Sequence, residues 1–476
     1  MATLGPSAPA LELAAALRAR ELSAVELLDA CLAAVDERDG QINAIVWRND
    51  EDARAGAADA DRRLAAGEPS DERAPFLGVP LPIKDLTPVA GWPVTYGSRG
   101  APEGTSEQSE LVVDALAGAG FVLCARTNTP AFGVLTAAEN DRYGITRNPW
   151  DTERSPGGSS GGAGAAVAAG MFPIAHANDG GGSIRIPASY CGLVGFKPSR
   201  GRVPRLAQSW LGAVVEGVVA RTVADSAAVL DAIASADPNA WYNAPAPARA
   251  FAQEVGRAPG QLRIGLMAQA PLGIPTDDAC TAAVRSVAAT LQELGHTVEE
   301  VEVPTISEEM TPPFIALTVA GLADYDGVDW TATEPHIVVQ RAHADEVGSY
   351  EYALAARSLE LLSRRETARW GRDFDVLLTP TSAILPPQAG AILEAQHANP
   401  DQPVLDVIRS VSFTAFGNIT GLPAVSLPAH WSEEGLPVGV QLVAGPWQDG
   451  ALIALAAQLE EARPWAERRP PLAQAV

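Results

Sequence analysis

Lysine is nearly absent from this chain. Its 476 residues include only two, Lys84 and Lys197, and arginine supplies almost all the positive charge. Acid outweighs base, with 58 Asp and Glu against 34 Lys and Arg and a net charge of −24. That balance argues against nucleic acid or an anionic membrane as a partner. Cysteine is scarce too: Cys31, Cys124, Cys191 and Cys280 lie far apart and show no metal-ligand spacing. Cys124 and Cys191 sit in apolar surroundings and read as buried free thiols. No stretch reaches the ~18 to 20 apolar residues of a membrane helix; residues 163–175 come nearest and are too short. The N-terminus lacks a charged segment followed by an apolar one, so the expected location is cytoplasmic. There is no Walker A sequence, no G-x-G-x-x-G after a strand and no metal constellation, so no cofactor or metal is expected.

What the chain does have is two glycine–serine clusters. Gly157-Gly158-Ser159-Ser160-Gly161-Gly162 and Gly180-Gly181-Gly182-Ser183 flank an alanine-rich segment. Glycine is used where backbone must reach positive φ or approach something closely. Alanine is the best helix former, so a helix is expected over residues 163–169, its N-terminus aimed back at the serines. Three glycines before Ser183 let successive N–H groups point into one concavity, the geometry an oxyanion requires. Ser183 is therefore the candidate nucleophile.

A serine hydroxyl needs a base within hydrogen-bond reach. Of the six histidines, His176 is near in sequence but lies in an apolar run and reads as a packing or supporting residue. The other five, His296, His336, His343, His397 and His430, sit in stretches without glycine–serine character. Lys84 ends an apolar run over residues 76–83. A buried lysine has its pKa lowered from ~10.4, and the neutral amine is a general base. The competing reading pairs Lys84 with Asp85 at the surface.

The sequence GGSSGG, then DGGGSIRIPASYCGLVGFKPSRGRVP, with PIKDL upstream, resembles the amidase signature family of serine hydrolases over nearly the whole chain. The resemblance implies a Ser-cisSer-Lys triad falling on Ser183, Ser159 and Lys84. Ser159 and Ser183 are 24 positions apart, the family's spacing. It implies a cis peptide between Gly158 and Ser159, with Ser159 relaying a proton between Lys84 and Ser183. Gly180, Gly181, Gly182 and Ser183 would supply the oxyanion amides. Ser160 would hold the loop, and Asp179 with Arg185 would brace it. Two departures stand out. Asn178 replaces a usual threonine, and Arg126-Thr127-Asn128-Thr129-Pro130-Ala131 replaces a K-T-N-x-P-E motif, removing a carboxylate at Ala131.

Length alone favours two or three domains. The resemblance implies instead one large α/β domain over residues 1–476, a mixed twisted sheet surrounded by helices. Within it we expect N-terminal helices (8–66), a catalytic core (76–236), a substrate-shaping helical region (about 306–372) and closing strands with a helix (373–465).

Local patterning supplies the detail. Ser23-Ala24-Val25-Glu26 reads as a capping box opening a helix through Val35. Further helices are expected over 51–66, 110–119, 222–236, 277–294 and 451–461. Strands are expected over 76–84, 121–125, 262–266, 297–303, 375–380, 424–427 and 438–443. Loops fall at 67–74, 95–107, 139–150 and 238–247, the second near the site. Phe314, Tyr325 and Trp330 are candidates for an apolar acyl pocket.

Gly157-Gly158-Ser159-Ser160-Gly161 also matches the G-x-S-x-G elbow of α/β-hydrolases, but no strong strand precedes it. Asn148-Pro149-Trp150, residues 175–179 and Pro464-Trp465 resemble bacterial family members that act on uncharged amides, including oligoamides, urethanes and aryl amides. The expected partners are therefore a small amide, ester or carbamate substrate and water, in a monomer or homodimer. The alternatives are a glutaminase-type subunit of a tRNA-dependent amidotransferase, or a non-catalytic relative, which the intact serines and lysine oppose.

Overall fold

The capping box closes as its spacing predicts. In the computed structural model, which describes residues 4–67 and 74–474, Ser23 Oγ accepts from the Glu26 amide at 3.1 Å. The Ser23 amide donates back to Glu26 at 2.9 Å. The helix it opens, Ala24–Ile42, outruns the expected end at Val35, because Leu27, Leu28, Leu32 and Val35 bury one face and tertiary packing carries the last turns. The loop expected over 67–74 lies outside the described residues except at its two ends.

Among the described residues thirteen strands follow one another: β1 (Ile45–Arg48), β2 (Pro80–Lys84), β3 (Val122–Thr127), β4 (Glu139–Asn140), β5 (Gly144–Ile145), β6 (Ile174–Asp179), β7 (Val194–Lys197), β8 (Val215–Ala220), β9 (Arg263–Leu266), β10 (Thr297–Glu300), β11 (Val376–Pro380), β12 (Ala424–Trp431) and β13 (Pro437–Ala444). Eight form one sheet in the order β10-β9-β11-β13-β12-β7-β8-β6. The β10–β9 and β9–β11 pairs are parallel and the others antiparallel, so the sheet is mixed as expected. A second sheet, β1-β3-β2, carries Lys84 at the end of β2.

Several boundaries differ from expectation. The strand expected from residue 76 begins only at Pro80, since Phe76 and Gly78 close against Ala119 and Gly120 in turns. Residues 139–150 contain the small β4–β5 hairpin rather than loop alone. The strand expected over 297–303 stops at Glu300. Strands β1, β6, β7 and β8 and the helix Arg185–Cys191 were not legible. Strands β6, β7 and β8 are buried throughout, so they show no alternation of polar and apolar residues.

The core packs the N-terminal helices and the helices Val223–Ile233, Asp278–Glu293 and Asp449–Ala462 against the sheet. All four cysteines are buried and free. No helix among the described residues is long and apolar enough to cross a membrane. The helix Gly161–Ala168 starts at Gly161, two residues ahead of the expected start. It lies so close to its neighbours that a Cβ on Gly162 would overlap the backbone of Asn128. This packing draws the first glycine cluster in beside β2 and β6.

Candidate active site

Strand β2 delivers Lys84 into the interior, where it is 0% exposed. Its Nζ lies 2.7 Å from Ser159 Oγ and 2.7 Å from Oδ1 of Asn178. Burial lowers its pKa to about 7, against the opposing pull of the Glu216 and Asp179 carboxylates. The surface pairing with Asp85 is not what forms. Asp85 is itself buried, accepts from the Thr95 amide at 3.0 Å, and faces Arg126 at 3.9 Å.

The peptide between Gly158 and Ser159 is cis. Ser160 braces this loop from both ends: its hydroxyl donates to the Asn178 carbonyl at 3.2 Å and its amide to the Ser183 carbonyl at 3.3 Å. Ser159, Asn178, Gly180 and Ser183 open on one cavity of about 200 Å³. Ser183 is half-buried there, and its hydroxyl has no hydrogen-bond partner among the described residues. The structure thus brings Lys84, Ser159 and Ser183 to one place from three separate segments.

Asp179 and Arg185 form a bidentate buried pair, with Nε and Nη2 of Arg185 each 2.9 Å from a carboxylate oxygen. Burial alone would push the Asp179 acid up, but the Arg185 charge and hydrogen bonds, with Lys197 and Asn418, together outweigh it and hold the carboxyl well below the usual range. Asp179 also accepts from the Ile184 amide at 3.1 Å and the Gly182 amide at 2.8 Å. That last bond corrects one expectation. The Gly182 N–H is spent inside the loop, leaving the amides of Gly180, Gly181 and Ser183 without acceptors among the described residues. Gly182 sits at φ 138°, where a Cβ would also collide with Thr414, so the loop's turn requires glycine.

His176 is a supporting residue, as its apolar surroundings suggested. Its Nδ1 accepts from the Lys84 amide at 3.4 Å and its Nε2 lies 3.0 Å from Glu216. Glu216 in turn pairs with Arg205, which lines the cavity. Burial raises the Glu216 acid, but Arg205 and His176 bring it below the ordinary value.

Some functional neighbours had no sequence signal. Asn418 donates to the Asp179 carbonyl at 2.8 Å and accepts from Arg185 at 2.6 Å. Thr414 donates to the Gly181 carbonyl at 2.6 Å. Both arrive from more than 200 positions downstream, which no local pattern encodes. Asn178 was visible only as a departure from the family motif, yet it holds Lys84 directly. Of the three aromatic candidates, Tyr325 lines the cavity. Trp330 instead packs on Phe132, with centroids 5.3 Å apart, and Phe314 lines a different cavity. Tyr96, from the loop expected near the site, is in the wall. Where the motif's carboxylate is missing, Ala131 joins an apolar cluster with Phe132, Leu322 and Ile337.

A family model described as Amidase matches residues 26–453. The chain belongs to the amidase family, the class of amide-hydrolysing enzymes that its fold and its serine–lysine arrangement had suggested. Among individual relatives, it is 36% identical to the 6-aminohexanoate-cyclic-dimer hydrolase of Pseudomonas sp. (strain NK87), over 96% of this chain and 95% of that protein. A solved structure of 6-aminohexanoate cyclic dimer hydrolase superposes with a TM-score of 0.90 at 32% identity, covering 99% of this chain and 100% of the other. A bacterial aryl acylamidase of the amidase signature family superposes with a TM-score of 0.86 at 26% identity, covering 97% of each chain.

Proposed function

We propose that the protein hydrolyses uncharged amides through an acyl-enzyme formed on Ser183. The observation that carries this reading is the 2.7 Å contact between the fully buried Lys84 Nζ and Ser159 Oγ. A lysine brought to about 7 is substantially neutral at neutral pH and can take a proton. In the proposed cycle, Ser183 Oγ attacks the carbonyl and passes its proton through Ser159 to Lys84. The amides of Gly180, Gly181 and Ser183 hold the developing oxyanion. Lys84 returns the proton through Ser159 to the leaving amine, and water then cleaves the acyl-enzyme by the same relay.

The cavity wall favours a neutral substrate. Leu86, Pro88, Tyr96, Phe132 and Tyr325 supply its apolar surface, and Glu110 and Asp324 also line it. Its one arginine, Arg205, is already paired with Glu216. A substrate carboxylate would meet two acids and no unengaged cation, which favours an uncharged amide over an anionic one. The names of the relatives point to cyclic amides and anilides; esters and carbamates share the same acyl chemistry. The test is a panel of neutral amides, anilides, esters and carbamates with the wild-type protein and Ser183→Ala. Turnover is expected with the wild type alone, and retained hydrolysis in Ser183→Ala would overturn the nucleophile assignment.

A further inference from the structure

The cavity at Ser183, about 200 Å³, is smaller than the roughly 300–1,000 Å³ typical of ligand sites. Next to it lies an outer cavity of about 680 Å³. Trp210 lines both. Its indole is slotted between two glycines: a Cβ on Gly180 would strike one edge of the ring, and a Cβ on Gly321 would strike the pyrrole side. Phe314 meets it edge-on from the outer cavity, with centroids 6.1 Å apart and planes at 86°. Trp210 thus borders both cavities, and its ring stands directly against the glycine loop that carries Ser183.

The backbone that holds this wall is unusual. Trp210 (φ 50°, ψ 45°) and Leu211 (φ 54°, ψ 37°) are consecutive left-handed residues with full side chains. That conformation is uncommon for bulky residues and concentrates at ligand clamps and switch regions. The outer cavity is faced by Leu211, Trp241, Tyr242, Phe314 and Leu317. Trp241 is 95% exposed, so large apolar surface stands open to water without a core to cover. Arg200, also on this wall, is already spent on the carbonyls of Gly212, Asn418 and Ile419.

We propose that Trp210 sets the size limit of the substrate, and that the outer cavity receives the aromatic or long alkyl end of an uncharged amide. The proposal rests on the amide-hydrolase reading above and extends it to a second binding site. A short amide fits at Ser183 with the indole in place. A longer one needs the indole to move aside, which joins the two cavities. The occupant's buried part is apolar because most of the wall is aromatic or aliphatic, while Arg357 and Glu360, of opposite charge, also face the cavity. It is an extension of the reacting amide because Trp210 borders both cavities.

The experiment compares para-nitroacetanilide with two lengthened amides, one extended by an octanoyl group on the acyl side and one by a phenylbutyl group on the amine side. Trp210→Ala is expected to raise the long-to-short ratio of kcat/KM by about tenfold or more on at least one side, the scale on which apolar pockets discriminate size. Ala356→Trp, which fills the outer cavity from a residue that does not line the cavity at Ser183, is expected to lower the same ratio. Ratios within twofold of wild type in both variants would overturn the proposal. Calorimetric binding of the octanoyl amide to Ser183→Ala, with and without Trp210→Ala, reads the outer cavity without turnover. About tenfold tighter binding in the double variant supports the proposal even if no amide is hydrolysed, and unchanged binding rejects it even if the wild type is active.

Discussion

Asn178 Oδ1 accepts from Lys84 Nζ at 2.7 Å, the same distance that separates that nitrogen from Ser159 Oγ. The amide oxygen orients the amine toward Ser159 without placing a full negative charge beside it. Asn178→Asp would place one there, and an adjacent carboxylate favours the protonated amine. The Lys84 pKa should then rise from about 7. Activity near pH 7 is expected to fall about tenfold or more, with the acidic limb of the rate profile displaced to higher pH. A profile with the wild-type midpoint would show that Asn178 does not tune the lysine.

The same lysine sets the wild-type profile. With a pKa of about 7, the neutral form grows as pH rises through that value, so kcat/KM should climb through pH 7 and level off above it. Lys84→Ala is expected to remove that limb and to cost several orders of magnitude on amides. Esters should suffer less, because an alkoxide leaving group needs less protonation than an amine. Parallel pH profiles of anilide and ester hydrolysis by wild type and Lys84→Ala check both statements. A limb that survived in the variant would assign the titration to another group.

How much of this was readable beforehand follows from where the information sits. Lys84 and Ser183 were legible because a glycine-rich turn and a rare lysine after an apolar run are local and unusual, and Ser159 was marked out through the family resemblance. Strand β6 was not, although it carries His176, Asn178 and Asp179, because every residue in it is buried and its sequence has no period. The Gly182 amide was expected to serve the oxyanion. Only the folded loop shows that Asp179 has already claimed it. Trp210 gave no signal either: its role depends on Gly180 and Gly321, the second of them more than 100 positions away, and on a left-handed backbone.

Lys197, the other lysine, is also fully buried, and its Nζ donates to the Pro198 carbonyl at 2.8 Å. Burial and the nearby Arg185 lower its pKa to about 7, while Asp179 and Asp449 oppose them. The unfolded chain holds this proton up to ~10.4, so between about 7 and 10.4 it binds more protons than the folded chain. Stability from this group therefore rises with pH across that window, and its cost is complete below pH 7. Lys197→Met removes the cost. The Tm of the variant relative to wild type is expected to be higher at pH 6 than at pH 9, by a few degrees. An offset that did not change with pH would show that Lys197 titrates alike in both states.

Arg185 joins the candidate nucleophile's loop to β13, in the middle of the sheet, and to the segment before β12. It pairs with Asp179, and it also donates to the Thr414 carbonyl at 2.9 Å, to Gln441 at 2.7 Å and to Asn418 at 2.6 Å. Replacing it by leucine would leave the Asp179 carboxylate buried without its cation. Such a break costs about 3–5 kcal/mol, a large share of the ~5–15 kcal/mol that holds a typical protein folded. Arg185→Leu is expected to be poorly folded, with Asp179 now favouring its neutral acid and releasing the Gly182 and Ile184 amides. Arg185→Lys keeps a charge but loses the two-pronged geometry. It should fold with a lowered Tm and lose kcat more than it changes KM, because the loop bearing Ser183 is then set less firmly. Circular dichroism melts with steady-state kinetics separate the two effects. Wild-type kcat in Arg185→Lys would show that the pair supports the fold alone.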